Sequence, residues 1–173
     1  LLSVVADQRE ELLMNDYAEF CTRPEESQLD LKSNMAQVVI GVRRCGKSTL
    51  CEMYLKQKNV EFAYVNFDDD RMKDMSASDL DRLLEALYMT YGEFKYLFLD
   101  EIQNVEGWPL FVNRLLRQKI HLFITGSNSK LLSNELSTHL TGRNNKVELY
   151  PFSFSEYCAM KKIDTTSLSI KAK

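Results

Sequence analysis

Val39-Ile40-Gly41-Val42-Arg43-Arg44-Cys45-Gly46-Lys47-Ser48-Thr49-Leu50 is the stretch on which the reading of this chain turns. An apolar run, Ala36–Ile40, ends at a glycine, and after four further residues Gly-Lys-Ser opens a segment of helical periodicity, 48–58. Gly41 and Gly46 let the backbone curl so that successive N–H groups point inward at an anion. The helix that follows adds the positive end of its dipole. Lys47 supplies a point charge for β- and γ-phosphate oxygens, and the Ser48 hydroxyl supplies a ligand for Mg²⁺. Gly41, Val42, Arg43, Arg44, Cys45, Gly46, Lys47, Ser48 and Thr49 are therefore expected to cradle the phosphates of a nucleotide. Cys45 has two readings there: a thiol acidified by the helix N-terminus and Lys47, or a small residue that fits.

Working outward, four more runs have strand length: 62–67, 96–99, 121–125 and 146–150. The first four of the five are apolar on successive residues, which marks strands buried on both faces. Helical segments separate them. Ser76-Ala77-Ser78-Asp79 resembles a capping box before Leu80, Leu83, Leu84 and Leu87. Pro109 suits a first helical residue before Phe111, Val112, Leu115 and Leu116. Alternating strands and helices imply an α/β domain of three layers, with a parallel five-stranded sheet between helices. An amphipathic helix over 1–20 and a polar connector, Thr22–Ser27, precede it. The expected organisation is 1–30 as helix and connector, 31–152 as the core, and 153–173 as the start of a helical region opened by the capping box Ser153–Glu156.

Two strand ends carry further chemistry. Tyr96-Leu97-Phe98-Leu99 finishes in Asp100 and Glu101, at the end of the strand that faces the ligand crevice of an open α/β sheet. Asp100 is expected to hold Mg²⁺, and Glu101 to polarise the water that attacks a γ-phosphate. Phe123-Ile124-Thr125 finishes in Gly126, Ser127 and Asn128, and Ser127 or Asn128 is expected to touch the γ-phosphate or the water; the sequence does not separate them. Ser129 has a competing role as an N-cap. Arg143, after a Gly turn, is expected either to stabilise transition-state charge or to be simply solvated. Asp68-Asp69-Asp70-Arg71 reads as a solvated acidic loop or a positioning element. The guanine-selective Asn-Lys-x-Asp is absent, and Asn145-Lys146-Val147-Glu148 ends in the wrong acid, so ATP is expected over GTP.

The bulk composition excludes other classes. Twenty-two Lys+Arg against 25 Asp+Glu give a net charge of -3, which argues against a chain-wide nucleic-acid footprint. No stretch approaches the roughly 18 apolar residues that a membrane span needs. Four cysteines without a Cys-x-x-Cys pair and two histidines argue against a zinc site or a disulfide framework, and make the cytoplasm the expected compartment.

Together these motifs resemble a predicted prokaryotic ATPase family of the AAA+ superfamily. The resemblance spans about residues 20–160 and also takes in 64–69, Ile102–Trp108, Leu140–Arg143 and 149–154. It implies sheet order 5-1-4-3-2, an ATP–Mg²⁺ site and the roles above for Lys47, Ser48 or Thr49, Asp100, Glu101, Ser127–Asn128 and Arg143. In such ATPases the arginine often acts on a neighbouring subunit, so a homo-oligomer is an implied partner. A C-terminal or partner domain driven by ATP hydrolysis is another. The alternatives are a slow nucleotide-controlled signalling switch and a DNA-acting or defence component.

Overall fold

Each apolar run becomes a strand because its alternate side chains find helices on both sides of one sheet. The computed structural model of the chain describes residues 1–15, 23–43, 45–127 and 129–151. Its strands are β1 (Ala36–Ile40), β2 (Ala63–Asn66), β3 (Tyr96–Asp100), β4 (His121–Gly126) and β5 (Asn144–Glu148). Its helices are α1 (Leu2–Leu13), α2 (Lys47–Gln57), α3 (Leu80–Tyr91), α4 (Trp108–Arg117) and α5 (Ser129–His139). The sheet order is β2-β3-β4-β1-β5 and every pairing is parallel. Read from the other edge, this is the order that the resemblance implied.

The alternation sets two cores. Val38, Ile40, Val65, Leu97, Leu99, Leu122 and Ile124 point to one face, where Leu83, Leu87, Val112, Leu115 and Leu136 cover them. Val39, Tyr64, Phe98, Phe123 and Val147 point to the other, against Leu50, Cys51, Tyr54 and Leu55 of α2. Phe98 and Phe123 are buried at 0 % and 1 % exposure, and truncating such a side chain to Ala costs about 3–5 kcal/mol.

Strand bounds differ from the sequence reading where pairing overrides apolarity. The fifth strand starts at Asn144, two residues before the expected Lys146, because β5 is registered on β1 from Ala36↔Asn144 to Ile40↔Glu148. Only Val147 within it is buried, as befits an edge strand. The third and fourth strands each gain a residue, Asp100 and Gly126, whereas the second contracts to Ala63–Asn66.

Helix starts follow their local chemistry. The Asp79 carboxylate accepts from the Ser76 N–H at 3.1 Å, and a 3-10 turn, Ala77–Asp79, leads into α3. Gly107, with φ of 79°, precedes α4, so Trp108 is its first residue and Pro109 its second. The N-terminal helix ends at Leu13 rather than near 20, and Tyr17 and Phe20 lie outside the described residues, as does the capping box at Ser153.

Helix α1 belongs to the packed body. Val5 joins one core and Leu12 the other, so the helix straddles the sheet edge beside β2. Buried Gln8 imitates a missing strand: its Oε1 accepts from the Asn66 N–H and its Nε2 donates to the Asn66 carbonyl, both at 3.0 Å. An edge that would otherwise invite another chain is thereby closed. No helix among the described residues is long and apolar enough to cross a membrane.

Candidate nucleotide site

The carboxyl ends of β1, β2 and β3 converge on a cleft of about 460 Å³. It is lined by Arg43, Gly46, Lys47, Ser48, Thr49, Asn66, Asp68, Asp100 and Glu101. Two glycines shape it for different reasons. A Cβ on Gly41 would lie 2.5 Å from the Leu149 carbonyl oxygen and 2.6 Å from Cys45 Sγ, so only glycine lets the loop pass that close. Gly46 has φ of 94°, the left-handed turn from which α2 starts.

Lys47 is 4 % exposed and folds back over the loop. Its Nζ donates to the Val42 carbonyl at 2.9 Å and lies 3.4 Å from Glu101 Oε1. Ser48 Oγ stands 2.7 Å from both oxygens of Asp100. Tyr64 donates to Asp100 Oδ2 at 3.1 Å, and Thr125 Oγ1 donates to Oδ1. Burial pushes the Asp100 carboxyl above its ordinary range, although the hydrogen bonds from Thr125, Ser48 and Tyr64 pull it back.

Glu101 follows Asp100 in a left-handed conformation, with φ 57° and ψ 51°. A non-glycine residue there carries local strain, of the kind that accumulates at functional sites. Its N–H donates to Thr125 Oγ1 at 2.9 Å, which locks the turn to β4. Gln103 Nε2 and Ser127 Oγ both donate to Glu101 Oε2, at 2.6 and 2.9 Å. Burial raises the Glu101 carboxyl, but those two hydrogen bonds and the charge of Lys47 outweigh it and leave the group below its ordinary range.

The expected residues divide accordingly. Gly41, Cys45, Gly46, Lys47, Ser48, Asp100, Glu101 and Ser127 come together, and Thr49, Val42 and Arg43 flank them. Val42 is 58 % exposed. Arg44 and Asn128 lie outside the described residues. Cys45 is buried at 1 % exposure, and burial pushes its thiol up against the charges of Lys47 and Arg23. An acidified thiol is therefore not what the loop holds; the small-residue reading stands.

Arg143 sits at the other end of the sheet. Its carbonyl accepts from the Ala36 N–H at the start of β1, and its side chain donates to Asn113 of α4 at 3.1 Å. Four strand steps, roughly 13 Å, separate that level from the phosphate loop.

The acidic run is bonded rather than simply solvated. Asp68 accepts from Arg43 at 3.3 Å, and Asp69 pairs with Arg71 at 2.8 Å, which also reaches Asp7 of α1. Hydrogen bonds from Arg71 hold the Asp69 carboxyl well below its usual range.

Sequence reasoning missed Gln103, Thr125 and Tyr64. The hydroxyl of Thr125 ends β4 beside the acidic end of β3, which was a usable signal; Gln103 reaches Glu101 only because of the left-handed turn.

The donor set can be tested against a magnesium nucleotide. The Ser48 hydroxyl and the Asp100 carboxylate are hard oxygen ligands of the type Mg²⁺ prefers. Among the described residues no group of three or more His, Cys, Asp or Glu gathers to cage a metal by itself. Such a partial shell suits a cation that is completed by phosphate oxygens and water, so the residues present fit the group.

Comparison with known proteins agrees with this fold. The signature of a family described as AAA domain matches residues 33–158. An uncharacterized protein of Methanocaldococcus jannaschii is 40 % identical over 79 % of this chain, which covers 31 % of that relative. An uncharacterized protein of Haemophilus influenzae is 38 % identical over 78 % of the chain, covering 36 % of its length. The chain thus spans about a third of the length of these relatives.

Proposed function

The chain belongs to the AAA domain family, and from that membership we propose that it binds ATP with Mg²⁺, hydrolyses it, and couples nucleotide state to an attached or partner domain. The observation that carries this reading is the convergence of Lys47, Ser48, Asp100 and Glu101 on one cleft at the carboxyl edge of the sheet. When bound, Mg²⁺ neutralises charge on the phosphates.

The chain's own residues do the rest. The loop amides and Lys47 hold phosphate oxygens, and Lys47 must leave its contacts with the Val42 carbonyl and Glu101 in part to do so. Ser48 and Asp100 hold the cation. Glu101, kept ionised by Gln103, Ser127 and Lys47, accepts a proton from the attacking water. Ser127 stands where it can orient that water. ATP is the expected substrate, and the cytoplasm the expected location.

Phosphate release from ATP, followed with and without Mg²⁺ and with GTP as competitor, tests the reading directly. Lys47→Ala should abolish nucleotide binding. Undiminished turnover by that variant would sink the assignment.

One observation favours a slow switch over a fast motor. Both carboxylate oxygens of Glu101 are already engaged, Oε1 by Lys47 and Oε2 by Gln103 and Ser127. Oε2 stays held by Gln103 and Ser127 when Lys47 turns to the phosphates, and a base so held turns over slowly until a partner rearranges it. Rapid multiple turnover by the isolated chain would count against that version.

A further inference from the structure

Arg23 is buried at 4 % exposure, in a segment that no phosphate-binding motif includes. It stands before Pro24, whose fixed φ opens the 3-10 turn Pro24–Gln28, and its carbonyl accepts from the Glu26 N–H at 3.1 Å. From that anchored backbone the guanidinium reaches two carbonyls far apart in sequence. Nη1 donates to the Cys45 carbonyl, inside the phosphate loop, at 2.7 Å. Nη2 donates to the Tyr150 carbonyl, just beyond β5, at 2.5 Å. Nε lies 3.7 Å from Glu25.

These two segments already touch. The Leu149 N–H donates to the Ile40 carbonyl at 2.7 Å, and the Leu149 carbonyl is the wall against which Gly41 lies. The chain therefore leaves the sheet alongside the loop, with Arg23 spanning the seam.

The peptide between Cys45 and Gly46 gives the span a direction. In a trans peptide the C=O and the N–H point opposite ways. With the Cys45 carbonyl drawn to Arg23, the Gly46 N–H points away from Arg23, and Gly46 itself lines the cleft. An anion accepting from that N–H polarises the peptide and strengthens its carbonyl as an acceptor. Tightening at Cys45 restrains the guanidinium that also holds Tyr150, and such coupling is reciprocal.

We propose that Arg23 is a positioning residue that links occupancy of the phosphate loop to the course of the chain leaving the sheet at Tyr150. The inference rests on the nucleotide-binding reading and names one route by which nucleotide state would reach whatever follows. The plainer alternative is an arginine that only packs. The fork geometry separates the two, because Lys keeps the charge but has one nitrogen on a shorter stem, which cannot stand at both the Nη1 and the Nη2 positions that face the two carbonyls.

The test combines calorimetry of ADP–Mg²⁺ binding with hydrogen exchange at the Leu149 amide. In the wild type, saturating ADP–Mg²⁺ should slow that exchange roughly ten-fold, within the worth of one charge-assisted hydrogen bond. Arg23→Lys should still bind ADP–Mg²⁺ and protect its loop amides, but lose the slowing at Leu149. Arg23→Gln serves as the second variant if the first does not fold, with the same expectation. Wild-type-like slowing in either folded variant overturns the proposal, as does wild-type protein that binds ADP without slowing Leu149. Wild-type protein that binds no ADP overturns the nucleotide reading itself, and this inference with it.

Discussion

Gln103 donates from Nε2 to Oε2 of Glu101 at 2.6 Å and, from the same nitrogen, reaches Ser127 Oγ at 3.2 Å. The amide thus ties the proposed base to the proposed water-orienting hydroxyl. Glu101→Gln should retain ATP but lose about 10²–10⁴-fold in turnover, the usual worth of a general base. Gln103→Ala should cost less and act differently. With one lowering hydrogen bond gone, the Glu101 carboxyl rises, so the acidic limb of the kcat–pH profile moves to higher pH. Steady-state kinetics across the acidic range would show it; an unmoved limb would remove Gln103 from the base's environment.

Gly41 tests the close approach of the loop to the strand exit. Gly41→Ala places a Cβ 2.5 Å from a backbone carbonyl, which cannot rotate away as a side chain can. Overpacking of this kind costs about 1–3 kcal/mol, read as a lowered midpoint in urea or heat. Gly142→Ala is the control: nothing lies within 4 Å, and only its φ of +74° is strained. It should cost about 1 kcal/mol, the penalty for an L-residue in the left-handed region. Equal losses from the two would show that the contact with Leu149 is not what demands glycine.

How much of this was legible depends on the distance over which each residue acts. That Lys47, Ser48, Asp100 and Glu101 gather in one cleft was legible, because each lies at or soon after the end of a buried strand, and strand ends are local in sequence. The sheet order, too, agreed with what the family resemblance implied. Gln103, Arg23 and Gln8 were not legible. Each works through a hydrogen bond to a segment brought near by the fold or by a strained turn, as when Gln8 meets Asn66 at a separation of 58 residues. Arg143 shows the converse. Its Gly-Arg pattern was visible, but only the parallel register on Ala36 reveals that it sits at the far end of the sheet.

Glu52 of α2 is buried at 4 % exposure, and burial pushes its carboxyl from 4.5 to about 7, against the opposing effects of Asn15 and Lys56. The folded pKa is raised above the unfolded one, so the fold favours the neutral acid. That contribution is fully present below about pH 4.5 and is lost as pH rises through about 7. Glu52→Gln keeps a neutral group at all pH values. Between about pH 5 and pH 8 its stability relative to wild type should therefore improve, by on the order of 2 kcal/mol. Urea unfolding at those two pH values measures it, and parallel losses in both proteins would refute the assignment.

Arg143 bears on where hydrolysis is completed. Exposed and hydrogen-bonded to Asn113, it faces solvent roughly 13 Å below the loop level, too far for its own cleft. If it contributes to hydrolysis, it does so on the nucleotide of another copy. Arg143→Ala should then leave ADP affinity within about two-fold of wild type while lowering turnover, since uniform binding is untouched. Mixing it with Lys47→Ala, which should bind no nucleotide, should restore part of the activity: the first supplies an intact cleft and the second an intact arginine. Activity in the mixture no greater than the sum of the separate proteins would exclude a shared site and leave Arg143 as a surface residue that orders the turn before β5.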